Sequence, residues 1–86
     1  MNQDIIQTII EAGKQRKTII INYIELDGTG EGPREVEPYS FRPRDTMEKF
    51  FAWDIAKDGM RSFLTDRIKS AEITDRIFMP RYEIEF

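Results

Sequence analysis

Thr18-Ile19-Ile20-Ile21-Asn22-Tyr23-Ile24-Glu25-Leu26 is the stretch that decides how this chain folds. β-branched and aromatic side chains pack well on a pleated surface, so the run predicts a strand over residues 18–26. Asp27-Gly28-Thr29-Gly30-Glu31-Gly32-Pro33 follows directly and holds three of the five glycines. Glycine reaches the positive φ that reversals need, so this segment predicts a flexible hairpin connection with its return strand over residues 34–42. Pro38 and Pro43 place that return at a sheet edge or a bend, because proline has no N–H to give a ladder. Further along, residues 49–54 predict a third strand, Asp58-Gly59 a turn, residues 60–65 a fourth strand and residues 70–74 a fifth. Short strands at close, regular spacing predict a mainly β (α+β) fold, a small five-stranded barrel rather than an open α/β sheet.

The two ends complete this layout. Over residues 4–16, Ile5, Ile6, Ile9, Ile10 and Ala12 fall in one arc at helical spacing, with Gln7, Glu11 and Lys14 opposite. Asp4 is placed as the N-cap with Gln7 three residues on, and Lys14, Arg16 and Lys17 lie where cations offset the helix dipole. Gly13 falls on the apolar side and either starts the stop or permits close packing. Residues 81–86 alternate Tyr82, Ile84 and Phe86 against Arg81, Glu83 and Glu85, which predicts a half-buried extra strand at the C-terminus. Thr-Asp-Arg-Ile occurs at 65–68 and again at 74–77, a spacing too short for a structural repeat.

Eighty-six residues make one domain, expected over residues 1–86. The chain has no cysteine, so disulfides and thiolate metal sites are excluded, and no histidine, so the commonest general base and metal ligand are missing. Catalysis is therefore not expected, and neither is a cofactor or a metal. No run is long and apolar enough for a membrane span and no signal-peptide pattern opens the chain, so the expected location is the cytoplasm. The net charge of −3 argues against a non-specific nucleic-acid coat. The cations are nonetheless uneven: eight of 13 are arginine, seven of them between Arg34 and Arg81, and arginine suits bidentate recognition of phosphate or carboxylate.

Several constellations have a plain reading. Gly28-x-Gly30-x-Gly32 leads into Pro33 and a strand rather than a helix, so it is a hairpin and not a phosphate cradle. Asp54, Asp58, Asp66 and Asp75 lie near turns at no metal-binding spacing and read as solvated turn or cap residues. Phe51 and Trp53 share a strand face and Phe50 points the other way, so one of the phenylalanines faces a groove, a partner or the helix. Trp53 is a candidate ligand-stacking residue against a core alternative. Arg61, Phe63, Thr65 and Arg67 alternate onto one face if the strand stays regular through Thr65. Two guanidiniums beside an aromatic form an anion clamp, with Arg34 as a further candidate. Otherwise Arg67 pairs with Asp66 or a glutamate to pin the turn, and Arg61 lies along the surface.

Arg61-Ser62-Phe63-Leu64-Thr65-Asp66-Arg67-Ile68 resembles the Arg-x-Phe-x-x-Asp-Arg-Ile signature near the end of WYL domains. Ile10-x-Ala12, the Ile-rich run ending at Tyr23, Arg34-x-Val36-x-Pro38-Tyr39, Ala52-x-Asp54 and Phe78-x-Pro80 follow in the family's order. The Trp-Tyr-Leu triplet that names the family falls at Glu48-Lys49-Phe50, where only an apolar Phe50 is kept. The resemblance implies a five-stranded Sm-like (SH3-like) barrel with an N-terminal helix. It also implies a ligand-sensing module of the kind found in bacterial transcription regulators and defence proteins, with arginines lining a pocket for nucleotides or nucleic acid, and with some members dimeric. Two functional readings follow. One is a regulatory module that recognises a nucleotide, another anionic ligand or single-stranded nucleic acid through Arg61 and Arg67, assisted by Phe63 and Arg34. The other is a protein–protein interaction or homodimerisation domain that uses sheet edges.

Overall fold

The computed structural model describes residues 3–25, 27–44 and 47–86. One helix, α1 (Gln3–Gln15), precedes five strands: β1 (Lys17–Ile24), β2 (Gly30–Arg44), β3 (Met47–Asp54), β4 (Gly59–Leu64) and β5 (Ile68–Ile77). A single 3-10 turn, η1 (Thr65–Arg67), joins β4 to β5. All strand pairs are antiparallel, in the order β4-β3-β2-β1-β5. The sheet is not closed into a barrel. β4 and β5 are separate edges, because the chain leaves β4 at Leu64 and spends Thr65–Arg67 on the turn. Side chains bridge the gap instead: the Tyr23 hydroxyl, from the end of β1, accepts the Leu64 N–H at 2.9 Å.

The core follows from the two sequence periods. Ile5, Ile9 and Ala12 are buried on α1 at helical spacing, and Ile19, Ile21 and Tyr23 are buried on β1 at alternate positions. Val36, Phe50, Ala52, Phe63 and Ile68 complete the same cluster. Asp4 lies inside the first helical turn rather than capping it, since the helix begins at Gln3. Arg16 ends the helix in the left-handed conformation, φ 56°, with its N–H on the Gly13 carbonyl. Gly13 serves close packing: a Cβ there would overlap the Phe86 ring.

Three expectations change. The connection after β1 is tighter than residues 27–33, because pairing resumes at Gly30 opposite Ile24. Leu26, the expected end of β1, lies outside the described residues. β2 is the central strand rather than an edge; Pro38 is accommodated where the register shifts between Pro38 and Ser40, a bulge that removes the need for its N–H. Residues 79–86 form no strand. Both hydrogen-bonding sides of β2 are already taken by β1 and β3, so this segment crosses the outer face of the sheet at Arg81 and Tyr82 and ends with Phe86 against Phe41 and the core cluster under α1. It makes one main-chain bond there, Glu85 N–H to the carbonyl of Tyr39 at 2.8 Å, beside the bulge.

That crossing gives the sheet a second, outer cluster. Tyr39 is buried, with Phe78 and Tyr82 packed edge-on at 5.7 and 5.6 Å. Its hydroxyl donates to Glu37 at 2.8 Å and accepts the Arg81 N–H at 2.9 Å. Burial pushes the Tyr39 phenol up to about 12; the Arg81 N–H opposes this and the Glu37 carboxylate adds to it.

Ile9 is fully buried, so Ile9→Ala should cost about 2–5 kcal/mol, read from chemical denaturation. The Tyr39 phenol is raised above its ordinary 10, so the unfolded chain gives up this proton first. The contribution is therefore complete below pH 10 and is lost as pH rises towards 12, about 2–3 kcal/mol in all. Tyr39→Phe should flatten the stability profile over that window; an equally steep fall in the variant would assign it to other groups.

Candidate anion-binding site

The unclosed side of the sheet is where the sequence-predicted residues gather. Arg34, opposite Ile21 in the β1–β2 ladder, points its guanidinium into the interior. A buried cation must be compensated, and here two carboxylates do so. Arg34 Nη2 lies 3.3 Å from Glu25 Oε1, just past β1, and Nη1 lies 3.5 Å from Asp54 Oδ2, at the end of β3. The guanidinium carbon is 5.5 Å from the centre of the Phe63 ring. Asp54 is only 1% exposed, so it is not the solvated turn residue expected; its Oδ1 accepts the Lys57 N–H at 3.2 Å and shapes the following turn. Its phase with Phe50 and Ala52 on β3 is the sequence signal that places it inward.

Phe63 is buried at 1% exposure, with Tyr23 edge-on at 5.0 Å and Phe50 at 6.1 Å. It is a floor for the site and leaves no open face for a ligand to stack on. Arg61 lies two residues before it on the same side of β4, half-buried. Arg67 does not continue that face, because β4 ends at Leu64 and Arg67 belongs to η1. Its Nη1 instead donates to the Glu25 main-chain carbonyl at 2.9 Å, so it pins the turn through a carbonyl rather than through Asp66 or a glutamate side chain. Trp53 stands apart on the outer face, with the Arg81 guanidinium 4.4 Å over its ring and Tyr82 at 6.4 Å. Phe51 lines a groove on that same face beside Met60 and Tyr82.

Between β1 and β4 lies an open cavity of about 260 Å³. Tyr23 and Glu25 form one wall, Phe63 the floor, and Arg61, Ser62 and Lys49 the other wall. Among the described residues neither Arg61 nor Lys49 has a carboxylate partner. Tyr23 uses its oxygen as an acceptor for Leu64, which leaves the phenolic proton to donate. Arg61 shares the inward side of β4 with Phe63, so the cavity is lined by its cation and the Tyr23 hydroxyl over an apolar floor, with Lys49 at its margin and Glu25 paired to Arg34. Tyr23, Glu25 and Lys49 were not singled out from sequence. Tyr23 was legible only as the third inward position of β1, and the other two only as surface charges.

No curated protein sequence matches this chain. Among solved structures, proteasome accessory factor B/C (PafBC) of Arthrobacter aurescens superposes with a TM-score of 0.79 at 25% identity, over 87% of this chain and 12% of that one. The chain thus spans about an eighth of the protein it resembles. The WYL domain pattern matches residues 4–73, from the first turn of α1 into β5. The chain belongs to the WYL domain family.

Proposed function

We propose that the cavity between β1 and β4 is the recognition site of a ligand-sensing regulatory module, taking a nucleotide, another small anion or a nucleotide of single-stranded nucleic acid. The observation that carries this reading is that Arg61 and Lys49, which among the described residues have no carboxylate partner, line one cavity with the Tyr23 hydroxyl. Arg61 makes the principal contact, since its planar fork matches two oxygens of a phosphate or carboxylate. Arg67 fixes the rim by holding Glu25, and Arg34 is scaffold beneath it. At about 260 Å³ the cavity lies just below the usual range of small-molecule pockets, about 300–1,000 Å³. It seats one anionic group with a small attached moiety and leaves the remainder of a longer ligand outside. The WYL family consists of regulatory, non-catalytic modules, which supports the same reading.

A second reading, a protein–protein interaction domain, is favoured by a different observation. β5 is an edge strand, and Ile77 and Met79 near its end are 70% and 88% exposed. Salt separates the two readings. Binding of a short fluorescent oligonucleotide through two cations should weaken with a log–log salt slope of about −1.4, whereas an apolar interface shows almost none.

Arg61→Ala should weaken anion binding by about 1.5–3 kcal/mol with melting unchanged, and Arg61→Lys should rescue it poorly. Undiminished binding by Arg61→Ala would leave the interaction reading in its place. Arg34→Met should behave in the opposite way. It strands the Asp54 carboxylate inside the fold and should cost about 3–5 kcal/mol of stability, measured by denaturation without any ligand.

A further inference from the structure

Among the described residues that line the cavity between β1 and β4, Glu25 alone is acidic. Its main chain is tied at both groups. The N–H donates to the Thr29 carbonyl, and the carbonyl accepts the Gly28 N–H and Arg67 Nη1, each at 2.9 Å. Arg34 reaches the side chain through Oε1 at 3.3 Å, and among the described residues no hydrogen bond is made to Oε2. One guanidinium therefore faces two carboxylates. Asp54 is 1% exposed and belongs to the interior, whereas the Glu25 side chain is 33% exposed and forms part of the cavity wall. Arg61 stands on β4, and β3 and β2 separate that strand from β1, which leads into Glu25. The two opposite charges line one space and, among the described residues, form no ion pair with each other. The space they share is floored by Phe63 and flanked by Tyr23 and Leu64.

We infer that Glu25 is a specificity-determining residue, which selects a ligand carrying an amino or ammonium donor as well as an anionic group. The inference rests on the reading of this cavity as an anion site. A cavity with a cation on one side and a fixed carboxylate on the other is complementary to a dipolar group, because each end then meets the opposite charge. Arg61 takes the anionic end, Glu25 takes the donor end through the oxygen that Arg34 does not use, and the apolar part rests over Phe63. The carboxylate also acts against the wrong ligand. A plain anion such as inorganic phosphate gains at Arg61 but is repelled at Glu25, whereas a dipolar ligand gains at both, and specificity is that difference. The ties on the Glu25 main chain hold the carboxylate in place before the ligand arrives, which lowers the ordering cost of binding. Two kinds of small molecule carry this chemistry: an α-amino acid, and a nucleotide whose base bears an exocyclic amino group.

Two matched pairs of probes test this by calorimetry. One is leucine against isocaproate, which is leucine without its ammonium group. The other is guanosine monophosphate against inosine monophosphate, which lacks only the exocyclic amino group. In one pair the amino-bearing member should bind the unaltered chain about tenfold tighter or more, and that pair identifies the source. Glu25→Gln keeps the length of the side chain and should erase most of the preference, while the member without the amino group binds at least as well as before. Glu25→Asp, which keeps the charge but withdraws it by one methylene, should also cut the preference and serves if Glu25→Gln does not fold. Arg61→Ala should weaken both members alike. Equal binding within both pairs, still lost in Arg61→Ala, overturns the role of Glu25 and leaves the anion site standing. A preference undiminished in a folded Glu25 variant overturns it as well. Binding of none of the four probes removes the anion site and this inference together.

Discussion

The buried guanidinium of Arg34 is the point on which the open side of this fold depends. Removing a cation from water is costly, and the cost is offset only when anions and hydrogen-bond acceptors converge on it. Here the carboxylates come from the ends of two different strands, Glu25 beyond β1 and Asp54 at the close of β3, so satisfying one charge ties both strand ends to β2 between them. Once Glu25 is held from the side chain, its main-chain carbonyl is presented to Arg67, and η1 is tied down. With η1 in place, β4 stops at Leu64 and the Tyr23 hydroxyl closes the remaining gap. The cavity is what is left between those ties.

The charges of this region are thus divided between those that hold the fold and those that line the cavity. Arg34 is nearly inaccessible and doubly compensated, and Arg67 spends a donor on a carbonyl. Arg61 and Lys49 line the cavity and have no such partners among the described residues. Four arginine and aromatic residues of the candidate set, Arg34, Arg61, Phe63 and Arg67, lie about this one region. Trp53 belongs to the other face, where the chain covers it with its own Arg81 and Tyr82.

How much of this was legible in the sequence depends on which period carried the signal. Ile5, Ile9 and Ala12 at helical spacing, and Ile19, Ile21 and Tyr23 at alternate positions, each identify an element and its buried face. The ordered set of motifs carried the family. Tertiary competition was not legible. The same Thr-Asp-Arg-Ile is a 3-10 turn leading into β5 at 65–68, where Arg67 holds the Glu25 carbonyl, and the irregular end of β5 at 74–77, where the register shifts against β1 and Arg76 pairs with Glu35. Arg34 read as a candidate ligand contact and Asp54 as a solvated turn residue, since the pairing of two charged residues twenty positions apart is set by the tertiary fold. The alternation of residues 81–86 did show that side chains face inward. It could not show that both sides of the nearest strand were already paired, and so it predicted a strand where a crossing segment lies.

The seclusion of Trp53 has a spectroscopic consequence. It is the chain's one tryptophan, it lies on the outer face, and a guanidinium and a phenol ring rest against it. Indole emission responds to what touches the ring, so the intrinsic fluorescence of this protein is an optical readout of whether residues 81 and 82 are seated. It is nearly blind to events at Arg61 across the sheet. A titration followed by tryptophan emission would therefore be silent to an anion entering the cavity, and a change in that emission would report movement on the opposite side of the molecule.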